Sequence, residues 1–219
     1  MKSATTADSV AAALRDALHQ GRWSSGAALR QEELAAEFGV SRIPVREALN
    51  KLQAEGLVVV EPNRGAFVAS LTPADVHEVF DLRVLLECDA LRHAIPRHTP
   101  RTLRQLTALQ AELDAEHDRN LWLATDAGFH EVLYAPSSRT KTLEMITVLR
   151  ASVTRLYRAH LTPQTRRKGW RDEHHALLKA VAAGDVDRAV AALTRHLRAT
   201  ETVAVAAISS AAEAARPVR

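Results

Sequence analysis

One stretch near the N-terminus carries polar side chains of the types that recognise bases in DNA. The four residues are Arg42, Arg46, Asn50 and Gln53. Their spacing of four, four and three residues places them on one stripe of a helix. Arginine can form paired hydrogen bonds with guanine, and asparagine or glutamine can do the same with adenine. The stripe therefore predicts a helix that enters the major groove, although arginines at this spacing also occur on solvated helix faces.

The segments around this stripe have the form of a helix-turn-helix. Residues 7–20 carry apolar side chains at helical spacing, and a second short helix ends at Gly39, where the chain turns. Ser41 is expected to cap a third helix over residues 42–55, because its hydroxyl can accept a hydrogen bond from the first turn. Since a helix-turn-helix presents its second helix to the major groove, the order of these elements supports the prediction of DNA binding.

A hairpin is predicted directly after these helices. Residues 57–60 and 66–69 are short runs of strand-forming residues, and the turn at residues 61–65 joins them. A hairpin in this place forms a wing beside the helix-turn-helix. Arg64 and Gly65 at its tip are predicted to enter the neighbouring minor groove, because glycine lets the backbone approach closely.

The charge balance limits how DNA binding can work in this chain. The 219 residues carry a formal net charge of only +3, and residues 1–72 contain eight Lys or Arg and eight Asp or Glu. The first part of the chain therefore has no net charge, and DNA binding must depend on where the arginines lie. No apolar run approaches the roughly 18 residues of a membrane span. The single cysteine, Cys88, fits a reducing cytoplasm.

The remainder of the chain predicts helices only. The expected helices span residues 73–95, 100–118, 121–135, 139–160, 164–183 and 185–210. The predicted fold class is therefore mainly α, with an N-terminal winged helix-turn-helix and a C-terminal all-helical bundle. We place the first domain at residues 1–70 and the second at residues 74–210.

Four residues of the second domain could bind a metal ion. They are Asp126, His130, His174 and His196. Asp126 and His130 lie four residues apart on one helix face, while the other two histidines share stripes with apolar residues of two further helices. A carboxylate and three imidazoles would bind a divalent transition metal such as Zn, Ni, Mn or Fe. Each histidine could instead be a hydrogen-bonded structural residue of the core.

Arg83 is a candidate for binding a small carboxylate. It lies on an apolar stripe of its helix, so its guanidinium is expected to face the interior. There it could hold a carboxylate of an effector through two hydrogen bonds. The alternative is an ion pair with Glu87, four residues further on. Arg150 and Arg155 are weaker candidates for the same role.

Residues 9–70 resemble the winged helix of the GntR family of bacterial transcription regulators. The match includes Gly-Val-Ser-Arg-x-Pro-Val-Arg-Glu-Ala-Leu, and it is carried by Glu32–Leu34, Gly39–Leu49, Leu52–Val58 and Pro62–Val68. The resemblance implies that Arg42 and Arg46 contact bases or phosphates and that Arg64 with Gly65 forms the wing contact.

Two positions depart from this family pattern. Arg30 stands where a capping serine is frequent, so that cap is missing and Arg30 is expected near phosphate instead. Glu32 stands where some members have an arginine that contacts DNA. The role of that arginine is therefore not carried over to this chain.

Residues 74–210 resemble the helical ligand-binding domain, of the FCD type, found in the FadR subfamily of GntR regulators. That domain commonly holds a metal through an Asp-x-x-x-His pair and two later histidines. Asp126, His130, His174 and His196 match these positions. Of the adjacent His174 and His175, we expect the first to face the core, because it shares the apolar stripe.

The leading hypothesis is a cytoplasmic transcription regulator, not an enzyme and not a membrane protein, that binds a pseudo-palindromic DNA operator as a homodimer. A small carboxylate effector, such as an organic or sugar acid, would bind at the metal and Arg83 and control operator affinity. One alternative is a constitutive DNA binder with a purely structural metal. A metal-dependent hydrolase with Glu131 as the base is the other, but Tyr134 stands where the zinc-protease motif needs its second histidine.

Overall fold

The computed structural model describes residues 5–19, 21–24, 26–160 and 167–214. The chain divides into two compact units, and the boundary falls between Leu71 and Thr72. The first unit contains helices α1 (Thr6–His19), α2 (Gln31–Phe38) and α3 (Arg42–Ala54) with strands β1 (Ala28–Leu29), β2 (Val58–Glu61) and β3 (Gly65–Val68). The second contains α4 (Pro73–Ala94), α5 (Pro100–Ala115), α6 (Arg119–Tyr134), α7 (Thr140–His160), α8 (Arg167–Ala182) and α9 (Val186–Ala214). The predicted fold class, mainly α with a winged helix-turn-helix, is confirmed.

The turn between α2 and α3 depends on a left-handed glycine. Gly39 has φ 64°, a conformation that costs little only without a side chain. The N–H of Val40 then bonds to the carbonyl of Ala35 at 3.0 Å, which closes the end of α2. The prediction that Ser41 caps α3 is wrong in one respect. Ser41 occupies the N-cap position, but its side chain makes no capping hydrogen bond.

The wing contains one strand more than the sequence predicts. β3 lies in the middle of an antiparallel sheet, between β2 and the two-residue strand β1. The hairpin register pairs Val60 with Ala66, and the turn contains Asn63 at φ 62°. β1 was not predicted because two residues are too few to show the alternation of a strand.

An apolar core holds the first unit together and fixes the orientation of α3. The buried residues include Val10, Leu14 and Leu18 of α1, Val45, Leu49 and Leu52 of α3, and Leu29, Val58 and Val68 of the sheet. Because one stripe of α3 is buried in this core, the neighbouring stripe is left on the surface.

The helices of the second unit begin and end close to the predicted positions, and local hydrogen bonds explain the differences. α5 ends at Ala115 rather than residue 118, because the carboxylate of Glu116 accepts the N–H groups of the next two residues. Asp118 then accepts the N–H groups of Asn120 and Leu121, so α6 begins at Arg119 instead of residue 121. The expected start of a helix at residue 164 lies outside the described residues.

Among the described residues, no helix is both long enough and apolar enough to cross a membrane.

Candidate nucleic-acid interface and metal centre

The exposed stripe of α3 consists of the residues predicted to read bases. Arg42, Arg46, Asn50 and Gln53 are all exposed. The neighbouring stripe of the helix, with Val45 and Leu49, is buried. The sequence spacing therefore translates directly into one polar surface on a rigid helix.

A groove runs between the starts of α2 and α3 and the wing. Arg42 from α3 and Arg64 from the wing both line it, with Gly65 and Arg30. Two elements that are distant in sequence thus present their guanidinium groups to one groove. Such an arrangement can contact a DNA strand from two sides.

Each arginine of this groove is paired with an acidic side chain. Arg42 Nη1 lies 2.7 Å from Glu32 Oε1, and Arg30 pairs with Glu33 at 3.3 Å. Arg64 pairs with Glu61 in the wing. The local charge of the groove is therefore close to balanced, as the sequence composition of the first unit requires.

Three histidines from three helices meet in the core of the second unit. His130 on α6, His174 on α8 and His196 on α9 are all buried. One ring nitrogen of each lies within 4.8 Å of those of the other two, which makes this a group able to hold a metal ion. The ring centroids of His174 and His196 are 4.7 Å apart.

The hydrogen bonds around two of these rings determine where their protons lie. Tyr134 donates its hydroxyl hydrogen to Glu87 Oε2 at 2.7 Å, since a carboxylate can only accept. The Tyr134 oxygen therefore accepts from His130 Nδ1–H at 3.1 Å. His196 Nδ1–H donates to Glu173 Oε2 at 3.0 Å. In both rings Nε2 is then left with a free lone pair, which is the form that binds a metal.

Two ring nitrogens in this cluster have no hydrogen-bond partner. Nε2 of His130 and Nε2 of His174 are buried and unpaired. Asp126 faces both of them, with Oδ1 at 3.7 Å from the first and 3.5 Å from the second. Unpaired buried polar atoms are rare, because they lose their hydrogen bonds to water without replacement. Two buried ring nitrogens without hydrogen-bond partners, and a carboxylate oxygen within 3.7 Å of both, fit a cation bound between them.

The electrostatic surroundings favour the neutral imidazoles of His130 and His174. Burial lowers the pKa of His130 well below its ordinary value, and the positive charge of Arg150 lowers it further. Burial, together with His196 and Arg150, likewise lowers the pKa of His174. A neutral imidazole is the protonation state that ligates metals, so these shifts favour ligation over protonation.

A buried network of charges lies next to the histidines. Arg83 Nε donates to Glu87 Oε1 at 2.7 Å, and Arg150 bridges Glu87 Oε2 at 3.4 Å and Asp126 Oδ2 at 2.7 Å. Burial opposes ionisation of Glu87, but the two guanidinium groups and the hydroxyl of Tyr134 outweigh it and lower the pKa of the carboxyl group. Glu87 is therefore ionised and joins α4, α6 and α7.

Two of the metal candidates, Asp126 and His196, border a cavity that also has aromatic walls. A small cavity, partly open to solvent, lies between Asp126, His196 and the two arginines on one side and an aromatic group on the other. The aromatic lining consists of Trp122, Trp170 and Tyr157. The two tryptophan rings stack with centroids 5.0 Å apart.

The structure brings together the residues that the sequence singled out in the second unit. Of the adjacent pair, His174 is buried, whereas His175 is exposed and contacts Asp114 at 2.8 Å. Arg83 lines the cavity, but it also forms the ion pair with Glu87 that was the alternative interpretation. The side chain of Arg155 lies outside the described residues.

Sequence reasoning missed two members of this network. Tyr134 lies four residues after His130 and eight after Asp126, so the same helical spacing could have identified it. Glu173 immediately precedes His174, yet it contacts His196, and this pairing depends on how α8 packs against α9. No sequence signal predicts it.

Comparison with known proteins identifies both units. A family model for bacterial regulatory proteins of the gntR family matches residues 6–68, and a model for the FCD domain matches residues 78–199. The chain belongs to the GntR family. The resemblances noted in the sequence are thereby confirmed for this GntR regulator.

Individual relatives of this GntR protein are also transcription regulators. It is 34% identical over 80% of its length to a helix-turn-helix regulator from an unstable DNA locus of Streptomyces ambofaciens, covering 74% of that protein. It is 30% identical to the repressor RspR of Escherichia coli, over 79% of this chain and 77% of that one. A GntR regulator from Rhodococcus sp. RHA1 has a similar structure, with TM-score 0.78, 26% identity and coverage of 92% and 98%.

These relatives decide against the hydrolase alternative. The chain is a DNA-binding transcription regulator and not an enzyme. The position of Glu131 agrees, because this residue is exposed on α6, whereas His130 beside it is buried.

Proposed function

We propose that this GntR regulator binds its operator as a homodimer and that a small carboxylate, held at a metal ion in the second unit, controls operator affinity. The observation that carries the metal site is the pair of buried, unpaired Nε2 atoms of His130 and His174. His196 and Asp126 complete the set of ligands. A divalent ion such as Zn, Ni, Mn or Fe would supply Lewis acidity and open positions for a carboxylate.

The charges around the cluster support an anionic effector. The carboxylates of Glu87, Asp126 and Glu173 face the guanidinium groups of Arg83 and Arg150 and the imidazoles. With neutral imidazoles, three carboxylates exceed two guanidiniums by one charge, and a divalent ion turns this into an excess of one positive charge. A bound monocarboxylate would neutralise it, and buried charges are tolerated only when they are paired.

Arg150 offers a route from the effector to the packing of the bundle. Its guanidinium on α7 connects Asp126 of α6 with Glu87 of α4. An effector carboxylate that competes for this guanidinium would change how three helices are tied together. Such a change could bias the equilibrium between two arrangements of a dimer, which is the requirement for control of DNA affinity.

The homodimer is supported by an apolar surface on two packed helices. Leu82 and Leu85 of α4 and Met145 and Val148 of α7 are exposed, and α4 packs against α7. Within each pair the residues are three apart and share a helix face. Such a patch fits a self-complementary interface between two copies.

The proposed DNA interface consists of Arg42, Arg46, Asn50 and Gln53 on α3, with Arg64 and Gly65 on the wing. A pair of identical wings and helices related by twofold symmetry would require a pseudo-palindromic operator. The proposed DNA interface is supported by the exposed stripe that the four residues of α3 share and by the groove between this helix and the wing.

The metal proposal is tested by metal content. Chelated protein is incubated with Zn, Ni or Mn, dialysed and analysed by elemental mass spectrometry. We expect retention of a single equivalent by the wild type and strongly reduced retention by Asp126→Asn and His174→Asn. His175→Asn is the matched control, because it removes an exposed histidine from the same helix. Equal retention by all four proteins would refute the site.

The effector proposal is tested with a panel of carboxylic acids. The melting temperature is measured with and without metal, and each acid that binds is then added to a DNA-binding assay. We expect metal-dependent stabilisation and altered affinity for DNA. The alternative is a structural metal in a constitutive DNA binder. It would be favoured if Asp126→Asn abolishes metal retention and no acid changes the operator affinity of the wild type.

A further inference from the structure

Glu32 lies at the same point of the groove as the leading base-reading residue. Its carboxylate oxygen is 2.7 Å from Nη1 of Arg42, although Glu32 lies in the first turn of α2 and Arg42 begins α3. Both side chains are exposed, at 75% and 68%, and both line the groove between the helices and the wing. An exposed ion pair of this kind adds little to the stability of the fold. We therefore expect the pair to affect DNA binding by Arg42 instead.

The pair leaves most of the guanidinium available. Arginine carries five N–H donors in a planar fork, and Arg42 forms its ion pair with Glu32 through Nη1. The remaining Nε and Nη2 edge can still form two hydrogen bonds with guanine O6 and N7. A carboxylate on one edge of the fork therefore fixes the orientation of the other edge.

The same carboxylate disfavours contacts that carry no sequence information. A phosphate that approached Arg42 would lie close to the negative charge of Glu32, and like charges repel at this range. Guanine presents neutral acceptors and does not meet this repulsion. Glu33 beside Arg30 and Glu61 beside Arg64 extend the same balance along the groove.

We propose that Glu32 is a positioning residue that sets the sequence specificity of Arg42. It orients the guanidinium for guanine and lowers affinity for DNA of unrelated sequence. This inference rests on the proposed DNA interface and concerns a residue to which that interface assigns no role.

The experiment uses the full chain and selected DNA duplexes. The wild type first selects duplexes from a randomised library, and binding to the selected duplex, to single-base variants and to an unrelated duplex is then measured by fluorescence anisotropy at several salt concentrations. The variants are Glu32→Ala, Glu32→Gln, Arg42→Ala and the double variant of Glu32→Ala with Arg42→Ala. Glu37→Gln is the matched control, since it removes one charge from the same helix at an exposed position that does not line the groove.

We expect Glu32→Ala to bind unrelated DNA several-fold more tightly and to reduce the ratio of specific to unrelated affinity by roughly tenfold, within the range of a lost bidentate contact. Glu32→Gln keeps an acceptor without the charge, so it should bind unrelated DNA like Glu32→Ala but retain more of the base preference. In the Arg42→Ala background, Glu32→Ala should no longer change base preference. Glu37→Gln should leave both base preference and affinity for unrelated DNA unaltered.

Three outcomes would overturn the inference. One is an unchanged specificity ratio in Glu32→Ala, and another is the same loss of preference whether or not Arg42 is present. The third is a wild type that selects no sequence, which would remove the proposed interface itself. The first two leave the proposed interface intact, so the failure of the inference is distinguishable from that of the interface.

Discussion

The two units of this protein place their polar side chains in opposite surroundings. In the first unit the core is apolar, and the candidate base-reading residues, such as Arg42 and Arg64, are exposed and paired only with surface acids. In the second unit the candidate ligands His130 and His174 and the carboxylate of Glu87 are buried. The candidate functional residues are therefore separate from the buried core in the first unit and part of it in the second.

The difference predicts how each unit responds to substitution. Exposed charges are solvated whether or not they are paired, so their loss changes binding far more than stability. Buried charges are stabilised by their charged partners instead of water, so the loss of one partner leaves the others buried and unpaired. Four predictions test this contrast, from the largest expected effect to the smallest.

The largest effect is expected from Glu87→Ala. Its removal leaves the guanidinium groups of Arg83 and Arg150 buried without their common partner. We expect the free energy of unfolding to fall by about 3–5 kcal/mol, measured by denaturant titration. Glu131→Ala is the control, because this glutamate is exposed on α6 and its loss should cost at most about 0.5 kcal/mol. Equal effects would contradict the buried network.

The second prediction concerns acid sensitivity of the chelated protein. The pKa values of His130 and His174 are lowered in the folded state, so between their ordinary pKa and the lowered one only the unfolded chain takes up these protons. The free energy of unfolding of the chelated protein should therefore fall as the pH drops below about 6.5, by up to about 1.4 kcal/mol per pH unit for each imidazole. Denaturant titrations from pH 7.5 to pH 5.5 measure the slope. A flat profile would be inconsistent with buried neutral rings.

The third prediction concerns Arg42→Ala in the first unit. We expect a loss of about 1–3 kcal/mol in operator affinity, because one bidentate base contact disappears. The free energy of unfolding should change by less than about 0.5 kcal/mol. Arg15→Ala is the matched control, since Arg15 pairs with Glu55 and does not line the groove. If both variants lose the same affinity, general electrostatics and not placement explains DNA binding.

The smallest effects compare two helix caps. Thr72 accepts the N–H of Asp75 and forms a full capping box at the start of α4, whereas Ser41 makes no side-chain bond at the start of α3. Thr72→Ala should cost about 1 kcal/mol. Ser41→Ala should cost almost nothing, as thermal unfolding of the two variants can measure. A large loss for Ser41→Ala would mean that its hydroxyl does cap the helix in solution.

Local patterns explain why so much of the fold could be predicted. Helical spacing identifies α3 and its exposed stripe, and the glycine after α2 requires a turn because of its left-handed backbone. The same spacing places Asp126 and His130 on one face of α6. Each of these inferences concerns residues close together in the chain, where backbone geometry alone determines which side chains are neighbours.

Contacts between distant segments could not be predicted in this way. The strand β1 forms only because β3 offers an edge for two residues, and the pairing of Glu32 with Arg42 depends on the angle between two helices. The hydrogen bond from Tyr134 to Glu87 joins positions 47 residues apart. Packing decides such contacts, and sequence spacing carries no information about it.

The sequence by itself determined the family, the order of the elements and the residue types available for reading bases and for binding metal. Only the tertiary structure decided that two imidazole nitrogens are left without partners and that Arg83 and Arg150 share the carboxylate of Glu87. The physical reason is burial. Whether a polar atom is solvated, paired or left for a ligand depends on which neighbours remove it from water, and these neighbours come from other helices.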